Sequence, residues 1–266
     1  MSDRRLYERA APAPGVLKPI WHVGAGSSLF IGPLNHNAPH AHSVPVLLGG
    51  LYGPFRLRIA GTAWHRCRAA VVPAGVSYEF DIGGSPLAVL YLEPTLAGTG
   101  ALAPLVRNAV EASGALVAQA GELRLLRELY EDRGSMAWVG AGIDDLLTFS
   151  NRRARRRLDQ RIAGVLRAMQ PHHESPVSAA SAASSVGLSS SRFQHLFAEQ
   201  VGVPFRRYRT WHRLRSAIGE AVTGSNLTAA AHAAGFSDQA HFAHSFRRTF
   251  GAPASPSLLM LRSLTD

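Results

Sequence analysis

Short apolar and alternating segments dominate the N-terminal part of the chain. In FRLRIAG (55–61), three apolar residues alternate with two arginines, which is typical of a strand with one buried face. The segments SLFIG, VPVLLGG, AAVVPAG and PLAVLYLEP are apolar runs that are punctuated by glycine or proline. Residues 27–92 therefore predict a small antiparallel sandwich or barrel.

From residue 101 onwards, the apolar residues recur at spacings of three and four positions. The segments LAPLVRNAVEASGALVAQAG and GELRLLRELYEDRG predict helices, and the following GSMAWVGAG predicts a loop. The next segment is amphipathic, and its apolar face contains Leu158, Ile162, Val165, Leu166 and Met169. A helical region is therefore expected after the β-rich part.

The C-terminal third contains an internal repeat. GLSSSRFQHLFAEQVG (187–202) resembles GFSDQAHFAHSFRRTFG (235–251), and each copy follows a short alanine-rich stretch. A glycine turn between two helical patterns is typical of a helix-turn-helix unit. Between the copies, PFRRYRTWHRLRSAIGEAV (204–222) has apolar residues at helical spacing, which predicts a long helix that joins two such units.

The positive charge is concentrated in the same part of the chain. Residues 1–150 contain 12 basic and 12 acidic residues, whereas residues 151–266 contain 16 and 6, so the whole net charge of +10 lies there. A neutral part joined to a basic part indicates a sensor joined to a nucleic-acid-binding domain. The arginine cluster at 152–157 is either a solvated linker or a phosphate contact.

The second helix of each unit separates an apolar stripe from a polar face. At about 100° per residue, Phe242, Phe246 and Phe250 share one side of the helix, and His244 and Arg247 lie opposite. Serine, glutamine, histidine, arginine and alanine on an exposed helix face suit a DNA major groove. Two histidines alone are too few for a metal site, which favours a DNA-facing role for His241 and His244.

The segments LSSSRFQHLFAEQVGVPFRRYRTWHRLRSA and AAHAAGFSDQAHFAHSFRRTFG resemble the DNA-binding domain of the AraC/XylS family of bacterial transcription regulators. The resemblance implies two subdomains whose recognition helices enter successive major-groove segments about 34 Å apart. The base-facing residues that it implies are Ser191, Gln194, His195, Gln239, Ala240, His241, Ala243 and His244. The phosphate contacts that it implies are Arg192, Arg206, Arg247 and Arg248. His195 and His244 stand where many members carry arginine.

Residues 20–95 resemble the cupin-like sensor domain of many family members, through PHAH before a strand and PAGVSYEF at a later turn. The implied fold is α+β: a cupin-like effector-binding barrel at 1–100, a helical dimerisation region and linker at 101–157, and a double helix-turn-helix domain at 158–266. The candidate effector contacts are His40, His42, Trp64 and Tyr78, for which ordinary core and rim positions are an equal alternative.

An enzymatic alternative rests on His40 and His42. Alternate strand residues share a face, so both imidazoles could reach one ion. Val46 and Tyr78 stand where a cupin metal site usually has further ligands, and a site needs three or four, so no metal or cofactor is expected. The alternative is a cupin metalloenzyme with an accessory DNA-binding domain. A third possibility is a thiol sensor at Cys67, whose flanking arginines could lower its pKa.

The remaining expectations concern partners and location. The chain has no apolar run of about 18 residues, no signal-like N-terminal segment and a single cysteine, so a cytoplasmic, non-membrane protein is expected. The expected partners are a double-stranded DNA operator, a small-molecule effector of unknown identity, a second copy of the chain in a homodimer, and RNA polymerase if the protein is an activator. No enzymatic activity is expected.

Overall fold

The computed structural model describes residues 17–95, 99–151, 158–169, 177–254 and residue 258. An antiparallel β region in the N-terminal half precedes a helical region in the C-terminal half, which confirms the predicted α+β class. The arginine cluster at 152–157 lies outside the described residues. Within the described part of the chain, no helix has the length and apolar character needed to cross a membrane.

Thirteen strands are described. They are β1 Ile20–Val23, β2 Ser27–Pro33, β3 His36–His40, β4 Val46–Gly50, β5 Phe55–Ile59, β6 Trp64–Cys67, β7 Ala69–Val72, β8 Tyr78–Asp81, β9 Pro86–Leu92, β10 Val106–Arg107, β11 Val110–Ala112, β12 Ala115–Ala118 and β13 Ala120–Gly121. A seven-stranded sheet has the order β1-β2-β9-β4-β7-β12-β11, and a four-stranded sheet has the order β3-β8-β5-β6.

The seven-stranded sheet is covered on both faces. Val89 and Tyr91 of β9 belong to the core shared with the four-stranded sheet and the C-terminal helices. Ala88 and Leu90 of the same strand face the other way, into a core formed with the helices of residues 124–151. This double burial explains why PLAVLYL is a continuous apolar run rather than an alternating one.

The helix predicted in LAPLVRNAVEASGALVAQAG (102–121) is wrong. Two 3-10 turns, Thr99–Ala101 and Ala103–Leu105, lead into the short strands β10 to β13. Ser113 and Gly114, with φ angles of 48° and 82°, connect β11 to β12 as a two-residue hairpin loop. Because β12 then pairs with β7, this stretch extends the sheet instead of forming a helix.

Eight helices are described. They are α1 Arg124–Glu131, α2 Val139–Asn151, α3 Gln160–Ala168, α4 Ala179–Ser185, α5 Ser190–Val201, α6 Phe205–Val222, α7 Leu227–Ala233 and α8 Gln239–Phe250. The helix predicted in GELRLLRELYEDRG is confirmed as α1. The predicted loop in GSMAWVGAG is wrong, since a 3-10 turn and the start of α2 occupy it. Val139, Ile143 and Leu147 recur every four residues, and all three are buried in the core beneath the sheet.

The two predicted helix-turn-helix units are confirmed as α4–α5 and α7–α8, with α6 between them. The turns contain Gly187 and Gly235, whose φ angles of 66° and 77° favour glycine. Ser189 caps α5 and Asp238 caps α8, each by accepting a hydrogen bond from a backbone N–H three residues on. These caps set the same starting position for the second helix of each unit.

Candidate nucleic-acid interface and ligand cavity

The second helix of each unit buries its phenylalanines and exposes its polar face. Phe193 and Phe197 of α5 and Phe242 of α8 are 0% exposed. All twelve residues predicted to contact DNA are exposed: Ser191, Arg192, Gln194, His195, Arg206, Gln239, Ala240, His241, Ala243, His244, Arg247 and Arg248. The burial pattern thus leaves two polar helix faces, one per unit, accessible to a large polyanion.

Two of these side chains also have contacts within their own unit. Thr228 donates a hydrogen bond to Gln239 Oε1 at 3.3 Å. The His241 ring lies against Phe236 at 5.2 Å, and its Nδ1 is 3.1 Å from Ser237 Oγ. Local contacts therefore orient Gln239 and His241 at the start of α8.

The long helix α6 fixes the position of each unit. On one side, Phe205 packs against Phe193 and Phe197 at ring distances of 5.1 Å. On the other side, the Arg213 guanidinium lies 4.3 Å from the Phe236 ring, and its Nε donates to Ala234 O at 3.0 Å. Both units are therefore attached to one rigid helix, as the sequence predicts for the segment 204–222.

The same helix docks on the β region through a buried carboxylate. Glu93 accepts hydrogen bonds from Tyr208 Oη at 2.7 Å and from Trp211 Nε1 at 2.9 Å. Arg215 Nη1 lies 3.4 Å from Glu93 Oε1, and both residues are 3% exposed. Arg215 Nε also donates to Ser28 Oγ at 3.0 Å. This charged cluster, which we call the Glu93 anchor, joins the helical region to the sheet.

A second attachment holds the end of α8. Asn37 Nδ2 donates to Phe250 O at 2.7 Å, and the Ala38 N–H donates to Gly251 O at 3.1 Å. Gly251 has a φ of 69°, and a Cβ there would lie 2.5 Å from both Ala38 O and His40 Nδ1. Two independent features therefore favour glycine at this position: the left-handed backbone conformation and the close approach of β3.

A cavity of about 800 Å³ lies between the β region and the end of α8. Its wall consists of Leu17, Lys18, Pro19, Trp21, Phe30, Pro33, Leu34, Asn35, His36, Asn37, His40, His42, Tyr78, Phe80, Val89, Tyr91, Phe246, Phe250, Ala252 and Pro253. Seven of these residues are aromatic, and the volume suits a drug-sized ligand. Because Phe246 and Phe250 belong to α8, a molecule in this cavity would contact both halves of the protein.

The structure places three of the four predicted effector contacts in this wall. His40, His42 and Tyr78 line the cavity, whereas Trp64 does not. Trp64 is 37% exposed on β6, where its ring lies 5.2 Å from the guanidinium of Arg56 and 5.1 Å from that of Arg58. Trp21 and Tyr91 also line the cavity and were not predicted. Tyr91 lies in the apolar run PLAVLYLEP, which predicts only core, and Trp21 precedes the predicted β segment 27–92.

The two buried imidazoles of this wall, those of His40 and His42, are neutral in the folded chain. Burial lowers the pKa of His40 to about 4 and that of His42 well below its usual value. His40 Nδ1 lies 2.7 Å from Ala38 O, so this nitrogen carries the proton and donates it. Burial likewise raises the pKa of Tyr78, which keeps its hydroxyl protonated.

We expect stability to fall as the pH is lowered from about 6.5 to about 4, because the unfolded chain binds protons that buried His40 does not. Each buried histidine should contribute a slope of about 1.4 kcal/mol per pH unit in this window. Urea denaturation at a series of pH values measures the slope. His40→Gln should reduce it, and His232→Gln, at an exposed position on α7, is the control. Equal slopes for His40→Gln and the unmodified chain would contradict the assignment.

The surroundings of His40, His42 and Cys67 give little support to the metal-site and thiol-sensor alternatives. Among the described residues, no group of three or more histidine, cysteine, aspartate or glutamate side chains is arranged to hold a metal ion. The neighbours of His40 and His42 are aromatic rings rather than carboxylates. Cys67 is 0% exposed, and burial raises its pKa to about 12, against the lowering expected from Arg66 and Arg68.

Comparison with known proteins agrees with the helix-turn-helix units and with the overall fold. Residues 182–257 match a helix-turn-helix domain family. No curated protein matches the chain. A structure of ToxT from Vibrio cholerae with a bound unsaturated fatty acid is similar over 90% of this chain and 97% of its own, with 13% identity and a TM-score of 0.56. A second ToxT structure, bound to (E)-4-(8-methylnaphthalen-1-yl)but-3-enoic acid, covers 88% and 99% with a TM-score of 0.55.

Proposed function

Since the chain has a helix-turn-helix domain of the AraC type within the fold of ToxT, we propose that it is a sequence-specific DNA-binding transcription regulator controlled by a small molecule in the cavity. The observation that carries the proposal is the polar face repeated on α5 and α8, two capped helices attached to α6. Helix-turn-helix domains insert such faces into the major groove, and two units on one rigid connector can reach successive groove segments.

The exposed residues divide into two roles in this proposal. Glutamine pairs with adenine, and small residues contact the thymine methyl group, so the helix faces supply sequence preference. The base contacts are Ser191, Gln194, His195, Gln239, Ala240, His241, Ala243 and His244. Arginines near the ends of α5 and α8 and at the start of α6 bind phosphates and supply affinity. These are Arg192, Arg206, Arg247 and Arg248.

In this proposal, a ligand in the cavity controls DNA binding. The two ToxT structures each contain a small organic acid, and we infer that a small-molecule effector occupies this cavity. A ligand enclosed by the β region on one side and by Phe246 and Phe250 on the other contacts the arrangement in which α8 is docked. By binding that arrangement more tightly than any undocked one, it shifts the population of DNA-competent molecules.

Further partners follow from the same proposal. We expect a cytoplasmic homodimer that binds an operator with two half-sites, since dimeric regulators match the symmetry of their DNA. An activator of this type would also contact RNA polymerase. The work of the protein is binding rather than catalysis, and the histidines of the cavity bind ligand in this scheme rather than reacting with it.

A pair of substitutions on α5 and α8 tests the roles. Gln194→Ala should relax base preference by about 1–3 kcal/mol at one position of the operator, because a bidentate contact to a base edge is lost. Arg247→Ala should weaken all sequences similarly and lower the slope of log affinity against log salt by about one. Fluorescence anisotropy with the operator and with a scrambled duplex, at several salt concentrations, measures both. Equal affinity of the unmodified chain for the two duplexes would contradict the proposed function.

A further inference from the structure

Three buried polar atoms in the cavity wall have no hydrogen-bond partner among the described residues. They are Trp21 Nε1, His42 Nδ1 and Tyr78 Oη. The three residues are 1–2% exposed, so solvent outside the protein does not satisfy these atoms. Buried polar groups in folded proteins are nearly always paired, and an unpaired one is costly. Their concentration in one cavity wall points to a bound partner.

These atoms belong to one continuous cluster of rings. Trp21 and His42 both contact Tyr91 and Phe250, at ring distances of 5.0–6.0 Å. Tyr78 adjoins His42 at 5.7 Å. The cluster includes the last residue of α8, Phe250, so the unpaired atoms lie where the β region meets the helical region. One polar group of a ligand could therefore serve several of them.

The charge of the wall excludes most ionic groups from this cluster. Lys18, which is exposed, is the one lysine or arginine side chain among the described wall residues. His40 and His42 are neutral, and the wall residues that the structure describes include no carboxylate. The nearby cation Arg207, whose charge acts on His40 and His42, is not among the wall residues and donates to Ala41 O at 2.6 Å. A carboxylate placed against Trp21 and Tyr78 would therefore be a buried charge without a direct cation partner in the wall, which is unfavourable. An uncharged oxygen avoids that cost.

The donors and acceptors of the cluster suit a hydroxyl group. The Trp21 indole can only donate, whereas the Tyr78 hydroxyl can donate or accept. The unpaired His42 Nδ1 is a donor or an acceptor according to the tautomer of its ring. A hydroxyl can accept from an indole N–H and can either donate to or accept from an imidazole nitrogen, so it suits both tautomers. A carboxylate or a ketone oxygen can only accept.

We propose that the effector is an uncharged aromatic alcohol, a flat apolar ring system whose hydroxyl is buried among Trp21, His42 and Tyr78. The seven aromatic side chains of the wall favour a flat ring body, which they can stack on or meet edge-on. The inference rests on the proposed function, since it assumes that the cavity is the effector site. It differs from the ligands in the ToxT structures, both of which are carboxylic acids.

The test compares four probes with the full-length protein by isothermal titration calorimetry at neutral pH. Naphthalene, naphthol and naphthoate share a ring system and differ in one substituent, and palmitoleate represents the unsaturated fatty acids. Naphthol should bind about tenfold more tightly than naphthalene or naphthoate, since it satisfies buried groups that the others leave unpaired. Palmitoleate should bind more weakly than naphthol.

Two variants connect this preference to the cluster. Tyr78→Phe should lower naphthol affinity about tenfold and change naphthalene affinity little. The variant removes an unpaired hydroxyl and no packed ring, so it should fold. Tyr52→Phe is the matched control, because the Tyr52 hydroxyl bonds Glu131 on the other side of the seven-stranded sheet. Unfolding curves of both variants establish that the fold is intact.

The outcomes separate the ligand class from the proposed function. Tighter binding of naphthol that Tyr78→Phe abolishes and Tyr52→Phe retains supports the aromatic alcohol. Tighter binding of naphthoate or palmitoleate overturns that class and leaves the cavity as an effector site. Failure of all four probes to bind also overturns the class. Operator binding of the same preparation, measured in parallel by anisotropy, decides independently whether the protein is a DNA-binding regulator.

Discussion

Replacing Glu93 with alanine should lower the free energy of unfolding by about 3–5 kcal/mol, because it leaves Arg215 buried without its carboxylate partner. The same change removes the acceptor of Tyr208 Oη and Trp211 Nε1, two further buried donors. All three of these residues lie on α6, so the loss falls on the contact between the helical and β regions. Urea denaturation followed by tryptophan fluorescence measures the change through the midpoint and the slope.

Two further variants serve as controls for Glu93→Ala. Glu93→Gln retains a side-chain oxygen for one donor and loses the charge, so its cost should lie between those of the unmodified chain and Glu93→Ala. Glu122→Ala breaks a salt bridge in which Arg107 is 64% exposed, and it should cost less than about 1 kcal/mol. If Glu93→Ala costs no more than Glu122→Ala, the Glu93 anchor does not form in solution.

Replacing Phe197 with alanine should cost about 3–5 kcal/mol, which is typical of a fully buried aromatic residue. Phe197 packs against Phe193, Phe205 and Tyr208 at ring distances of 5.1–5.7 Å. The cavity created would lie between α5 and α6, so the first helix-turn-helix unit would lose its fixed position. Operator affinity should then fall steeply, since one of two groove contacts is lost.

A conservative variant distinguishes the loss of packing volume from other effects of replacing Phe197. Phe197→Leu keeps most of the apolar volume and should cost clearly less than Phe197→Ala. Circular dichroism with urea gives the stability, and anisotropy with a duplex that carries the operator gives the DNA affinity. Unchanged operator affinity in Phe197→Ala would show that the α4–α5 unit does not take part in binding.

The helical third of the protein is predictable because its determinants are local. The stripe Phe193–Phe197 recurs as Phe242–Phe246, and in both copies the helix cap stands four residues before the stripe, with a glycine turn shortly before the cap. Each of these signals is read within about four residues along the chain, the range over which a helix contacts itself. The predicted DNA-facing residues follow from the same periodicity, once the buried stripe is known.

The stretch 101–121 was mispredicted because strand pairing is not local. Apolar residues at 110–118 occur at spacings that also suit a helix, and only pairing with β7, some 45 residues earlier, gives them a sheet. The Ser113–Gly114 dipeptide is the one local sign of the hairpin. Weighting that turn above the apolar spacing would have corrected the prediction.

The connection between the two halves was not predictable at all. Glu93 and Arg215 are 122 positions apart, and a glutamate or an arginine is by itself expected at the surface. The cavity wall was equally unpredictable, because Trp21 and Phe250 are far apart in sequence and come into contact only in the folded chain. Trp64, the remaining predicted effector contact, lies on the surface instead, on the edge strand β6 of the four-stranded sheet.

The position of Phe250, at once the end of α8 and part of the cavity wall, has a thermodynamic consequence. Linkage requires that any factor by which a bound effector changes operator affinity is also the factor by which the operator changes effector affinity. DNA is therefore formally an effector of the cavity. A cell that contains many operators would change the ligand concentration at which the protein responds, without any change in the cavity itself.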